Sequence, residues 1–542
     1  MLYLYDMKSG RRLLFQFLVI TLIYLVFALP KMDQPVTDDE IYEINNVRLI
    51  IAGEKPVEFI PSIYNWALVP FVRGFNERVL SVRMLGLLCA FASLGLLLVL
   101  ARGVFGEHDP RVMAAGVFLA TSPLFVQGSL LVHVDSTLLV TAVLLWMVCL
   151  TEFLEGGTFI RRLLLLASLT FTLLCKFSTP LLILPFTLGF VFLKRRKLFF
   201  NYFLICVLSV FSFCALWWLL CQLNTLSFGA PFIGLLERGR MYLSAAGLKT
   251  ILNNMVIFCA WASPYLVIGS FLMVLSLIRD HPLIRDKLLL VGITACSILL
   301  YLAVSPINHG FPKYILPGIP LIGLFLSGNY LRGIGRERSK YLALLLGCAA
   351  YLIMMQYDPV YLIRFKLRDI LAYGGGTGIL YGQLFWQSLV YLLPLLLFFF
   401  LRRRIRVPLG AALVILIISF NVSLASKQAL ARYQTNYSYG QEGAEELEAF
   451  LDKNVRERDK IIATKEVLYL LGRTDSFYSV SFWRNPEDFL DALKRSRFLV
   501  VSTPSHSMYF FRNVLNAPEV RDYLDKNYRV KRMGTFIIYQ RR

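Results

Sequence analysis

The sequence predicts an α-helical polytopic membrane protein that ends in a small extracytoplasmic α/β domain. Three observations carry that reading. Of the 542 residues, 57% are hydrophobic and 17% charged, with a mean hydropathy of +0.62, a balance foreign to ordinary globular domains. Apolar runs close to the ~20 residues needed to cross a bilayer recur from the N-terminus to about Ser426. From about Asn436 the chain becomes charged and its apolar runs shorten to strand length. The division is a transmembrane region over 1–430, with a first outer loop at 30–80, and a soluble domain over 436–542.

The apolar runs give about thirteen helices on the length criterion. They fall near 13–29, 81–101, 112–128, 137–154, 162–175, 179–193, 199–221, 252–278, 288–304, 314–331, 341–356, 381–401 and 408–426. No small-residue cleavage site follows Leu29-Pro30, so the first run reads as an anchor and not as a cleaved signal. The runs at 162–175 and 179–193 are short enough to form a broken or re-entrant pair.

Thirteen spans bring every short basic cluster to one side, from Lys8/Arg11/Arg12 through Lys194-Arg195-Arg196-Lys197 to Arg402-Arg403-Arg404. By the positive-inside rule that side is the cytoplasm. The protein then sits in the inner or plasma membrane with its N-terminus cytoplasmic and its C-terminal domain outside. The net charge of +21 is largely this topological signal, since bases facing anionic lipid account for it and no nucleic-acid motif accompanies it. The nine cysteines all lie in apolar runs, where cysteine behaves as a small hydrophobe; the outer domain has none, so disulfides cannot staple it.

Within that domain Glu442 to Lys453 reads as an amphipathic helix and Lys460 to Thr464 as a buried strand. Asn485-Pro486-Glu487 is an N-cap with proline at the first helical position, opening a helix to about Arg495. Phe498 to Ser502 is a second strand, Glu519 to Lys526 a third helix, and Tyr528 to Tyr539 one or two closing strands. This alternation implies an α/β layer structure, and no phosphate loop or nucleophile elbow occurs in it.

The outer loops hold the chemistry. Asp38, Asp39 and Glu40 follow the first helix closely, and acids at the membrane boundary are costly unless paired or functional; a solvated acidic loop is the competing explanation. Asp135 in His133-Val134-Asp135-Ser136-Thr137 lies at the mouth of a helical hairpin, where capping of the next helix competes with function. Lys176 interrupts apolar chain in Cys175-Lys176-Phe177-Ser178-Thr179-Pro180, where snorkelling competes. His309-Gly310-Phe311-Pro312-Lys313-Tyr314 puts bases and rings at a third mouth.

Together these segments resemble the type C membrane glycosyltransferases, in the group holding the protein O-mannosyltransferases and the bacterial aminoarabinose transferase that modifies lipid A. The likeness covers about residues 10–330. Asp39-Glu40-Ile41-Tyr42 looks like that group's Asp-Glu pair in the first outer loop, and Phe118 to Asp135 is similar to the helix leading to its second acidic site. Cys175-Lys176 with Pro180 looks like its Thr-Lys-Gly-Pro stretch, and Lys313-Tyr314-Ile315-Leu316-Pro317 is close to its basic-Tyr-x-Leu-Pro signature. The double proline usual in the first outer loop is absent, and Gly310 replaces a lysine of the aminoarabinose transferase; both differences bear on the donor sugar.

The resemblance implies transfer of a sugar from a polyprenyl-phosphate donor to a lipid, glycan or protein acceptor outside the membrane. Asp39 is then the general base on the acceptor hydroxyl, with Glu40 and Asp135 as the other catalytic carboxylates. Lys176 and Lys313, backed by His309 and Arg83, would hold the phosphate, and Asp38, Tyr42 and Tyr314 would contact substrate. No cofactor is implied; a divalent metal held by Asp38, Asp39 and Glu40 is a lesser alternative, because adjacent positions converge poorly on one ion. A transporter or flippase of lipid-linked sugars, and an oligosaccharyltransferase-like enzyme, remain alternatives. The absence of an internal repeat and the placing of charges at the outer mouths count against the transporter.

Overall fold

The computed structural model describes residues 7–32, 38–54, 62–74, 79–224, 262–279, 284–304, 313–331, 338–357, 393–400, 407–430, 443–456, 459–464, 485–502, 513–534 and 536–542, with short pieces between them. Helix α1 (Met7–Ala28) is apolar and closes on a 3-10 turn, Leu29–Lys31. Helices α2 (Asp38–Ile51) and α3 (Tyr64–Gly74) follow. The first outer segment, expected as a loop, therefore holds two helices. They were missed because α2 is too polar to read as a span and α3 too short.

Helix α4 (Val79–Phe105) follows, and α5 (Pro110–Thr121) and α6 (Pro123–Leu130) form a pair bent by 55°. The bend falls at Ser122-Pro123, where proline has no N–H for the ladder and drives the preceding residue out of helical geometry; Ser122 is extended. The run expected at 112–128 as one straight helix is thus broken. Then come α7 (Thr137–Glu155), α8 (Phe159–Cys175), α9 (Ser178–Lys194) and α10 (Arg196–Leu223). Beyond them lie α11 (Pro264–Arg279), α12 (Asp286–Leu299), the short α13 (Tyr301–Val304) and a 3-10 segment, Lys313–Gly318. Helices α14 (Ile319–Tyr330), α15 (Arg338–Tyr357) and α16 (Leu409–Leu430) complete the region. Among the described residues, six helices are long and apolar enough to cross a bilayer, or seven counting the bent pair, so length and composition do not reach the thirteen spans expected.

Helices α1, α4 to α9, α12, α14 and α16 share one apolar core built around large buried rings such as Tyr24, Phe118, Phe125, Trp146 and Phe153. Close approach at one end of the helices depends on glycine. A Cβ on Gly86 of α4 would stand 2.1 Å from the backbone oxygen of Ser129 in α6, and one on Gly128 would stand 2.3 Å from the Leu316 side chain. The Thr137 hydroxyl also donates to the Gly86 carbonyl at 2.6 Å. These contacts draw α4, the chain leaving α6, the start of α7 and the 3-10 segment together.

The C-terminal part runs α17 (Ala444–Asn454), β1 (Ile461–Ala463), α18 (Pro486–Lys494), β2 (Phe498–Ser502), α19 (Pro518–Asn527), β3 (Tyr528–Met533) and β4 (Phe536–Arg541). The sheet order is β1-β2-β4-β3, with β1 and β2 parallel and the other pairs antiparallel. Strand alternation sends Leu499 and Val501 to one face, under Phe489, Leu493, Val520 and Leu524 of α18 and α19, and Phe498 and Val500 to the other, under Leu447 and Leu451 of α17. Asn485 caps α18 by accepting from the Glu487 N–H at 3.1 Å.

Candidate active site

Six segments meet at one cluster. Helix α2 brings Glu40 and Glu43, three residues apart and so on one face. Helix α4 brings Arg83 one turn before Gly86. The turn between α6 and α7 brings His133 and Asp135, and the α8–α9 junction brings Lys176. The 3-10 segment adds Lys313 and Tyr314, and α13 adds Tyr301.

The carboxylate of Glu40 accepts from the Val132 N–H at 3.0 Å and lies 3.7 Å from the Arg83 guanidinium. Arg83 in turn donates to the carbonyls of Lys31 at 3.3 Å and Met32 at 3.0 Å, where the chain leaves α1. With Glu40 and Arg83 each only 2% exposed, a charge pair of this kind survives burial only because further hydrogen bonds replace water. It clasps α2, α4 and the 131–136 turn together.

Asp135 and Lys176 form the second pair, 1% and 3% exposed, with a hydrogen bond from Nζ to Oδ1. Burial alone would push the Asp135 carboxyl up, but the Lys176 ammonium, with His133 and Lys313 behind it, outweighs burial and holds it below the usual carboxylate range. Burial likewise works against the Lys176 ammonium, and the Asp135 carboxylate with the nearby tyrosines keeps its pKa above the ordinary lysine value. The other Asp135 oxygen has no hydrogen bond among the described residues and lies 3.5 Å from His133 Nδ1.

Two competing explanations fall away here. The N-cap position of α7 belongs to Ser136, so Asp135 does not cap that helix. Lys176 does not snorkel to water; it is buried on Asp135 and lies 4.3 Å from the centre of the Tyr314 ring and 5.8 Å from that of Tyr301. Those two rings stack at 5.6 Å, and the Tyr301 hydroxyl lies 3.2 Å from that of Thr179. Lys176 is therefore walled by a carboxylate and two aromatic faces.

Of the residues singled out by sequence, Glu40, Arg83, Asp135, Lys176, Lys313 and Tyr314 come together. Asp38 and Asp39 open α2, one turn before Tyr42 and Glu43; their side chains, and all of His309, lie outside the described residues. Among the described residues no group of three His, Cys, Asp or Glu side chains is arranged to hold a metal ion. The sequence reading passed over His133, Glu43 and Tyr301 as site residues. For Glu43 a signal existed: buried Glu40, Glu43, Ile44 and Val47 follow the three-and-four spacing of a helix face.

Residues 60–218 match the family described as dolichyl-phosphate-mannose-protein mannosyltransferase. That segment holds Arg83, His133, Asp135 and Lys176. No curated protein sequence matches the chain. Among solved structures, ArnT from Cupriavidus metallidurans in the apo state aligns with a TM-score of 0.58 at 13% identity, covering 98% of both chains. The same protein bound to undecaprenyl phosphate aligns with a TM-score of 0.58 at 15% identity and the same coverage. At this identity the likeness is one of fold, and it covers nearly the whole of both chains. The chain is thus similar to that mannosyltransferase family over the site-bearing segment, and to ArnT in fold.

Proposed function

We propose that this chain is a membrane glycosyltransferase of type C that moves a sugar from a polyprenyl-phosphate donor to an acceptor hydroxyl on the outer side of the membrane, with Asp39 as general base. The observation that carries the reading is the convergence of Glu40, Arg83, Asp135, Lys176 and Lys313, from distant parts of the sequence, at one end of the helices. Cations fixed by buried carboxylates suit a reaction in which a phosphate leaves, because preorganised charge stabilises an anion as it develops. Undecaprenyl phosphate bound to the protein of like fold supports a polyprenyl carrier here. The uniform side of the basic clusters supports a cytoplasmic N-terminus and an outward C-terminal domain.

In this scheme the acceptor oxygen attacks the anomeric carbon as Asp39 takes its proton. The bond from that carbon to the phosphate oxygen breaks, and the electron pair leaves with polyprenyl phosphate. Glu40 is committed to Arg83 and to the 131–136 turn, and Asp135 to Lys176, so both act by holding the site's shape. The base in this scheme is Asp39, the neighbouring position on α2. Lipid, surface glycan and protein remain the acceptor classes.

The test is transfer from a synthetic polyprenyl-phosphate sugar by the full chain in sealed vesicles, with acceptors identified by mass spectrometry of the envelope. Asp39→Asn should lower the rate by about 10²–10⁴-fold without loss of folded protein. A near wild-type rate would sink the base assignment. Transfer dependent on donor supplied only to the cytoplasmic face would overturn the orientation.

A further inference from the structure

Helix α8 stops at Cys175, one residue before Lys176, and the last carbonyls of a helix need partners from outside it. In an unbroken helix the carbonyls of Leu174 and Cys175 would accept from the N–H groups of Ser178 and Thr179, four residues on. Here both accept instead from the chain that opens α3. The Ile63 N–H donates to the Leu174 carbonyl at 2.9 Å, and the Ser62 hydroxyl donates to the Cys175 carbonyl at 2.7 Å. Ser62 and Cys175 are 6% and 1% exposed, so water is a poor substitute for these donors. The backbone of Lys176 itself is extended, with φ −161° and ψ 109°. Its carbonyl could not continue the helix, because Pro180, four residues on, has no N–H to offer. At this break the Lys176 side chain turns onto Asp135.

The same short segment reaches the other half of the pair. The Tyr64 N–H donates to the Ser62 hydroxyl oxygen at 3.1 Å. The Tyr64 side chain, 1% exposed, brings its hydroxyl beside Ser136, the neighbour of Asp135. Burial, and then the Glu43 and Glu40 carboxylates, push that hydroxyl above the ordinary tyrosine range, so it stays protonated as a donor. Residues 62–64 thus meet the chain on both sides of the Asp135–Lys176 contact. They belong to the same outer segment as α2, which carries Asp39.

We propose that Ser62 and Tyr64 are positioning residues, a latch by which the first outer segment fixes where α8 ends and thereby holds Lys176 on Asp135. The consequence for transfer rests on the glycosyltransferase reading given above. Ser62 acts through the Cys175 carbonyl and Tyr64 through Ser136; neither touches substrate in this role. With the latch open, two carbonyls lose their donors and the backbone that aims Lys176 is no longer fixed.

The competing role is plain packing of α3 against α8, which would affect stability but not the rate of the folded molecules. Three variants of the full chain in detergent separate the two: Ser62→Ala removes the hydroxyl, Ser62→Thr keeps it, and Tyr64→Phe removes only the ring hydroxyl. Hydrogen exchange followed by mass spectrometry reads the latch itself, in the peptides holding Ile63 and residues 174–179. Transfer from a synthetic polyprenyl-phosphate sugar gives kcat and the donor KM. In Ser62→Ala exchange in both peptides should quicken by about tenfold. Its kcat should fall by about ten- to a hundredfold, with the donor KM within about twofold of wild type, because the charge that Lys176 answers develops only as the phosphate leaves. Ser62→Thr should restore both readouts, and Tyr64→Phe should lower kcat by about three- to tenfold. Unchanged exchange at Ile63 in Ser62→Ala, or quickened exchange with a wild-type kcat, would overturn the positioning role and leave the glycosyltransferase reading standing. A wild-type chain that transfers no sugar from such donors would remove that reading and the rate effect assigned here with it.

Discussion

Around Asp135 the charges are buried and find partners far along the chain: Lys176 lies 41 residues from Asp135, and Arg83 reaches the carbonyls of Lys31 and Met32, 52 and 51 residues away. In the C-terminal domain the Lys494–Asp491 and Lys526–Asp522 pairs are exposed and separated by one helical turn. The contrast concerns what each charge would face without its partner. An exposed half-pair returns to water at little cost, whereas a buried one becomes an unsolvated charge. Burial thus ties the site's geometry to its stability, and the domain's surface charges are free of that link.

The largest effect that would sharpen this contrast is at Lys176. Lys176→Met leaves the Asp135 carboxylate buried without its main cation, and should destabilise the folded protein by about 3–5 kcal/mol as well as abolish transfer. Adding Asp135→Asn should return much of the stability and none of the activity. Thermal unfolding in detergent checks both; a double variant no more stable than Lys176→Met would show that the pair does not carry the energy assigned to it.

A middle-sized effect is expected where packing and not charge sets the site. In Gly86→Ala the new methyl meets the Ser129 carbonyl, so α4 and the chain before His133 must part, at about 1–3 kcal/mol, and transfer should fall because Arg83 rides on the same helix. Gly347 of α15 has nothing within 4 Å of a built Cβ, so the same change there should be neutral or stabilise by up to about 1 kcal/mol through helix propensity. Similar unfolding temperatures for the two variants would break the argument from close approach.

The smallest effect belongs to the exposed pairs. Lys526→Ala should change stability by about 0.5 kcal/mol or less, and the change should fade as salt is raised. A loss comparable to that at Lys176 would mean that the domain's surface is coupled to more than solvent.

Much of the fold was legible because it rests on local pattern. Apolar runs marked the helices from α4 to α10, and in the C-terminal domain Asn485-Pro486 and the strand at 498–502 stand where spacing and capping put them. Helices α2 and α3 escaped because the polar and apolar positions of an interfacial helix do not form a continuous run. The 55° bend at Pro123 was written in the sequence, but a long apolar stretch concealed it.

For the site, the sequence by itself determined which chemistry was present: acids after the first helix, one at the hairpin mouth, and bases at two later mouths. Residue type and position relative to the apolar runs are enough for that, because charge near lipid is costly and so conspicuous. Only the tertiary structure decided the partners. Glu40 with Arg83, Asp135 with Lys176, and His133 with Lys313 are contacts between segments 41 to 180 residues apart, and helix packing, not local spacing, sets which of them meet.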